Sequence, residues 1–205
     1  MVCHFSAGVS TIDKIVKKDV ENLLVKIGKN KIEDKTFFIT GGAGFIGSWL
    51  CDILAKSGSR IACLDNLSTG KIENVNYLKE PNFKFINKDI SSFKENKTKY
   101  DYIIHLASRV SPEDYQQYPI ETLQANSLGT YNILELARRN DATALFTSTS
   151  EVYGDAKVVP TPESYWGNVN PVGPRSCYDE GKRFAEALFI AFHKEYGLDV
   201  RIARI

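Results

Sequence analysis

The stretch SCYDEGKR (176–183) sets Tyr178 and Lys182 four residues apart. On a helix that spacing puts both side chains on one face. An ammonium beside a phenol favours phenolate and lowers the tyrosine pKa, giving a base usable near neutral pH. Taken alone the pair is common, and two exposed helix residues would account for it. Upstream, TSTSEVYGD (147–155) follows the apolar run ATALF, so four hydroxyl side chains and then Glu151 stand at a strand end. A third stretch, TFFITGGAGFIGSWL, reads as strand, glycine turn and helix opening. Gly41, Gly44 and Gly47 let the turn close, let backbone approach a pyrophosphate and let helix pack on strand, while the helix N-terminus offers free N–H groups. Asp65 ends the next apolar run eighteen residues beyond Gly47. An acid there can bind adenosine ribose hydroxyls and would repel a 2′-phosphate, which favours NAD over NADP. The position of the Tyr/Lys pair, after such a turn and after a hydroxyl-rich strand end, is what turns it into a candidate catalytic pair.

These groups need elements to hold them. From Lys35 the chain alternates apolar β-rich runs (TFFIT, RIACLD, FKFIN, YDYIIHLA, TALFTS, LDVRIARI) with helical patterns around 45–57, 118–139 and 177–196. That alternation predicts an α/β fold, a doubly wound parallel sheet of Rossmann type over residues 35–205. Ahead of it, residues 1–34 read as an amphipathic helix and linker. Ile12, Ile15, Val16, Val20, Leu23, Leu24 and Ile27 recur at helical spacing behind a Ser10-Thr11-Ile12-Asp13 capping pattern. Between the fifth run and the last helix lies a long Pro/Gly/Asn-rich connection, GDAKVVPTPESYWGNVNPVGPRS, of the length typical of lids and binding loops.

Composition excludes some partners. The 205 residues are 43% hydrophobic and 25% charged with a net charge of +1, so no basic face suggests nucleic acid. No apolar run reaches membrane-spanning length, and the N-terminus lacks a signal pattern. Cys3, Cys51, Cys63 and Cys177 show no CxxC spacing, so neither zinc nor a disulfide framework is indicated; Cys51 and Cys63 read as small core residues. His4, His105 and His193 are scattered and read as structural or exposed rather than as ligands. A reducing, cytoplasmic compartment is expected.

The segments TGGAGFIGS, LDNLSTG, KDI, HLAS, TSTSEVYGD and YDEGK, spread over residues 36–205, resemble the extended short-chain dehydrogenase/reductase family, which modifies nucleotide sugars with tightly held NAD. Within it, PESYWGNVNPVGPRSCYDEGKRFAEAL and HLASRVSPEDYQQYP are similar to the UDP-glucuronate decarboxylase branch. The resemblance implies NAD contacts from Gly41, Gly44, Phe45, Ile46 and Gly47, from Asp65, Asn66, Leu67, Ser68, Thr69 and Gly70, and from Asp89, Ile90, Leu106, Ala107, Tyr178 and Lys182. It implies Thr149, Glu151, Tyr178 and Lys182 as catalytic residues, and Tyr115, Thr149, Ser150 and Arg175 against UDP-glucuronate. Tyr178 would take the sugar 4-OH proton beside Thr149, with hydride passing to NAD. Relatives that dehydrate carry Thr-Asp-Glu at this point. Here Ser150 is a poor acid, but a 4-keto glucuronate is a β-keto acid and loses CO2 without one. The order Thr-Ser-Glu therefore favours decarboxylation, with 4,6-dehydration or 4-epimerisation as the alternative and a non-catalytic NAD-binding domain as a third reading.

Relatives continue beyond VRIARI with a substrate-binding C-terminal part. The chain is thus expected to lack most of that part, and to bind NAD while turning over poorly or not at all alone. A homodimer is implied, through the helix holding TLQANSLGTYNILELA and the helix after Tyr178. On the second, Ala185, Leu188, Phe189 and Phe192 form a stripe that either a dimer or the domain's own sheet would bury.

Overall fold

The computed structural model describes residues 11–79, 81–94 and 98–205. In chain order the elements are α1 (Thr11–Ile27), β1 (Thr36–Thr40), α2 (Phe45–Ser57), β2 (Arg60–Asp65), β3 (Phe83–Asn87), β4 (Tyr102–His105), α3 (Pro112–Gln117), α4 (Pro119–Gln124), α5 (Thr130–Asn140), β5 (Thr143–Ser148), α6 (Ser176–Tyr196) and β6 (Val200–Arg204). The six strands make one parallel sheet in the order β3-β2-β1-β4-β5-β6. This is the expected doubly wound sheet. β1 is central and buried along its whole length, because its β-branched and aromatic residues face a helical layer on either side. Phe37 and Ile39 point to the α2 layer with Cys51, Leu54 and Cys63. Phe38, between them, points to the α5/α6 layer with Ile103, Phe146 and Phe189. The direction of winding reverses between β1 and β4, which leaves a crevice at the C-terminal ends of those two strands.

The patterns at 45–57 and 177–196 match α2 and α6 closely. The segment read as one helix over 118–139 is interrupted. α4 passes through a π-helical turn, Ala125–Gly129, before α5 begins. That turn leaves the Asn126 carbonyl to the Thr130 hydroxyl, which donates to it at 2.7 Å. α3 precedes this helix and had no counterpart in the periodic pattern.

α1 lies on α2. Of the expected stripe, Val20 is fully buried, Val16, Leu23 and Leu24 are half-buried, and Ile15 and Ile27 towards its two ends are exposed. Ser10, the first residue of the capping pattern, lies outside the described residues. On α6 the stripe is buried in the chain's own core: Ala185, Phe189 and Phe192 are buried and Leu188 packs against them.

The long connection is tied down at its base. Gly154, at φ 61 and ψ −138, pairs with Asn168. Arg183 donates to the Val152 and Trp166 carbonyls, and Arg204 reaches the Tyr153 hydroxyl and the Glu163 carbonyl. A Cβ on Gly154 would stand 2.2 Å from the Asn168 oxygen. Gly154→Ala therefore imposes strain of about 1–3 kcal/mol on this tie. Tryptic cleavage after Lys157 should speed up by roughly tenfold, the factor given by 1.4 kcal/mol, while the global unfolding midpoint changes little. An unchanged cleavage rate would show that the tie does not limit the loop.

Candidate active site

The crevice is a cleft of about 520 Å³ along the C-terminal strand ends. The glycine turn forms one wall. Gly41 has φ 70, and a Cβ on it would lie 2.8 Å from the Ala107 nitrogen; one on Gly47 would lie 2.2 Å from the Gly41 oxygen. Gly44 caps α2, whose first turn, with Phe45 and Ile46, opens onto the cleft. Such close approach of backbone, ahead of a helix N-terminus, fits a dinucleotide pyrophosphate.

Asp65 closes β2 and is buried. One carboxylate oxygen accepts from the Ala43 N–H at 3.0 Å, the other from the Leu67 N–H at 2.8 Å. Burial pushes its carboxyl up, and these two bonds oppose that. Asp65 thus ties the glycine turn to the loop after β2. In that loop Leu67 adopts a left-handed backbone (φ 58) and turns its side chain into the core beneath the cleft. Asn66, Ser68, Thr69 and Gly70 line the cleft, and Asn66 donates to Asp89 at 2.6 Å. Asp89, Ile90, Leu106 and Ala107 line it as well. Of the residues expected to hold NAD, Leu67 alone stands back from the lining.

At the other end lie Thr149, Tyr178 and Lys182. The Thr149 hydroxyl accepts from the Glu151 N–H at 3.2 Å, and its nearness to the Tyr178 phenol favours phenolate. Lys182, 2% exposed, donates to the Thr147 carbonyl at 2.9 Å; its ammonium lies 4.7 Å from the Phe146 ring centre and 5.8 Å from that of Tyr178. The expectation that this lysine lowers the tyrosine pKa needs correction. Burial, the largest influence, pushes the Tyr178 phenol up, and the bond that eases ionisation comes from Thr149. Burial also lowers Lys182 to about 7, because its ammonium has given up water for one carbonyl and two ring faces.

The remaining sequence-predicted residues surround this end rather than line it. Tyr115 is 1% exposed and stacks flat on Tyr178, with ring centres 5.0 Å apart and planes 6° apart. Ser150 and Glu151 form a 3-10 turn just past β5, and Glu151 is ion-paired with Arg175 at the start of α6. Sequence reasoning missed Lys88, Arg109 and Glu121, which also line the cleft; Lys88 and Arg109 lie within the KDI and HLASRVSPEDYQQYP segments, and Glu121 has no such signal. The Arg109 guanidinium lies 4.2 Å over the Tyr118 ring. His105, read as structural or exposed, is fully buried between the hydroxyls of Thr40 (2.7 Å) and Thr130 (3.2 Å). Burial holds it at about 3, so it stays neutral. Cys51, Cys63 and Cys177 are buried free thiols. Among the described residues no helix is long and apolar enough to cross a membrane.

Fold and cleft together define the class: a Rossmann-type dinucleotide fold with a Tyr/Lys helix at its cleft. The chain belongs to the NAD-dependent epimerase/dehydratase family whose model is described as GDP-mannose 4,6 dehydratase and matches residues 38–205. UDP-glucuronic acid decarboxylase 1 of Xenopus tropicalis is 49% identical over 172 residues, covering 83% of this chain and 40% of that protein. UDP-glucuronic acid decarboxylase 3 of Arabidopsis thaliana is 48% identical over 169 residues, covering 82% of this chain and 49% of that one. This chain thus spans at most about half the length of these relatives. Among solved structures, UDP-N-acetylglucosamine 4-epimerase from Methanobrevibacter ruminantium M1 superposes with a TM-score of 0.74 at 33% identity, covering 84% of this chain and 55% of that chain.

Proposed function

We propose that this chain is the cofactor-binding and catalytic part of an NAD-dependent UDP-glucuronate decarboxylase. The observation that carries the reading is that Thr149, Tyr178 and buried Lys182 line the same cleft as the glycine turn, in a chain nearly half identical to proteins of that name. Bound NAD would supply the acceptor, and later the donor, of a hydride at sugar C4. The glycine turn, the α2 N-terminus and Asp65 would hold and orient it. Tyr178 accepts the 4-OH proton, with Thr149 fixing the phenol oxygen. After C4 oxidation the substrate is a β-keto acid; its C5–C6 bond breaks, CO2 leaves, and the electron pair becomes an enolate on the C4 oxygen. Tyr178 and Thr149 would donate to that oxygen. Ser150 and Glu151 stand next to the sugar end, Glu151 as the acid/base and Arg175 and Tyr115 as its surroundings.

The dimer reading now rests on other residues. Phe184 and Ile190 on α6, with Ile120, Leu123, Leu128 and Tyr131 along α4–α5, are exposed apolar side chains that support a homodimer through these helices. The buried free thiols support a reducing, cytoplasmic compartment.

The test is mass spectrometry of UDP-glucuronate incubated with the NAD-loaded protein. Loss of one CO2 from the nucleotide sugar, with UDP-glucose left intact, is the expected result for the chain extended beyond Ile205 with a relative's C-terminal part, and little or no loss for this chain alone. A new isomer of unchanged mass would favour the 4-epimerase reading, which the structural likeness to the archaeal epimerase supports. If NAD binds and neither sugar changes even with the extended chain, the non-catalytic reading takes its place.

A further inference from the structure

The chemistry above gives Asp179 no role, yet its placement is unusual. It follows Tyr178 directly on α6 and is only 7% exposed. Its Oδ2 lies 3.8 Å from Nε of Arg175, one helical turn back, and its Oδ1 has no hydrogen-bond partner among the described residues. The same guanidinium is ion-paired through Nη2 with Glu151, on the turn after β5. One cation therefore serves two carboxylates from two different elements. Burying a carboxylate with an unmet oxygen is costly. A carboxylate in the first turn of α6 would suit the helix dipole, but an exposed one would do that without the burial.

We propose that Asp179 is a positioning residue: it holds the Arg175 guanidinium between itself and Glu151, and so fixes both the acid/base carboxylate and the charge beside the Tyr178 phenol. The inference rests on the reading of Tyr178 as the base. The groups facing Asp179 are Arg175, Cys177, Tyr178 and Glu180 on its own helix, Tyr115 from α3, and, through Arg175, Glu151. Burial raises the Asp179 carboxyl and Arg175 opposes this. On Tyr178 the two charges pull in opposite senses: Asp179 disfavours phenolate and Arg175 favours it.

That opposition supplies the test. In the whole protein, the Tyr178 resonance is followed by 13Cζ-tyrosine NMR across pH, assigned by its loss in Tyr178→Phe. Asp179→Asn should move the Tyr178 titration to lower pH, Arg175→Gln to higher pH, and the double variant should lie between them. The acidic limb of the kcat/KM profile with UDP-glucuronate should move in the same two directions. If the titrations move oppositely and no turnover of UDP-glucuronate is seen even with the chain extended beyond Ile205, the positioning role stands and the decarboxylase reading fails. If turnover is present but the titration stays put, or both variants move it the same way, the positioning role is overturned. Should Asp179→Asn fail to fold, Asp179→Ser carries the same expectation.

Discussion

Tyr178→Phe is expected to lower turnover by roughly 10²–10⁴-fold, the usual contribution of a positioned general base, while NAD binding stays nearly unchanged. The substitution removes one oxygen and keeps the ring, so the flat stack on Tyr115 survives. It also leaves the glycine turn and Asp65 untouched, because these lie at the other end of the cleft. The nearby Thr149 hydroxyl keeps the bond it accepts from the Glu151 N–H. Steady-state kinetics and NAD titration calorimetry on the same preparation separate the two effects. A variant that kept more than about a tenth of the activity would place the base elsewhere.

Lys182→Met should cost activity and yield stability at the same time. Burial lowers Lys182 from 10.5 to about 7 in the folded chain. Between those two values the unfolded chain binds a proton that the folded chain does not, so this residue makes the protein more stable as pH rises from about 7 towards 10.5. Conversely, near and below pH 7 the folded protein must carry a buried ammonium, and the burden is full there. Each pH unit of that gap corresponds to about 1.4 kcal/mol. Methionine keeps the stem against Phe146 and the Tyr178 ring, carries no charge, and leaves the Thr147 carbonyl without its donor. Urea unfolding at pH 6.5 and pH 9.5 should therefore show Lys182→Met more stable than the parent at the lower pH, with the difference shrinking or reversing at the higher one. Equal differences at both pH values would mean that the lysine keeps an ordinary pKa in the folded chain. Turnover should fall alongside, since the phenol loses the group packed behind it.

Gly41, Gly44, Gly47 and Asp65 were legible because a close backbone approach excludes almost every other side chain, and the spacing survives in the sequence. Tyr178 and Lys182 were legible as a pair because a helix has one period. Their ionisation was not, because burial decides it, and burial depends on Phe146 and the layers above the sheet rather than on the four residues between them. The stripe on α6 was read correctly as apolar; whether its own sheet or a second copy would cover it is a matter of how the layers close. The Ala125–Gly129 turn was invisible because a π turn inserts one residue into an otherwise helical pattern and leaves the composition unchanged. The Glu151–Arg175–Asp179 cluster joins residues 24 and 28 positions apart from β5 to α6, and no local pattern encodes a contact across the long connection.

The strand order has a consequence for the nascent chain. β1 pairs with β2 on one side and β4 on the other. As the polypeptide leaves the ribosome, β1 to β3 can assemble early, but the far edge of β1 has no partner until β4 emerges, 65 residues after Thr40 at His105. At about 5–20 residues per second that interval is some 3–13 s. During it the most apolar strand of the protein presents a bare edge, the kind that recruits foreign strands. Synthesis of this fold therefore has a window of vulnerability set by topology, and the finished sheet, with β1 sealed at its centre, no longer shows it.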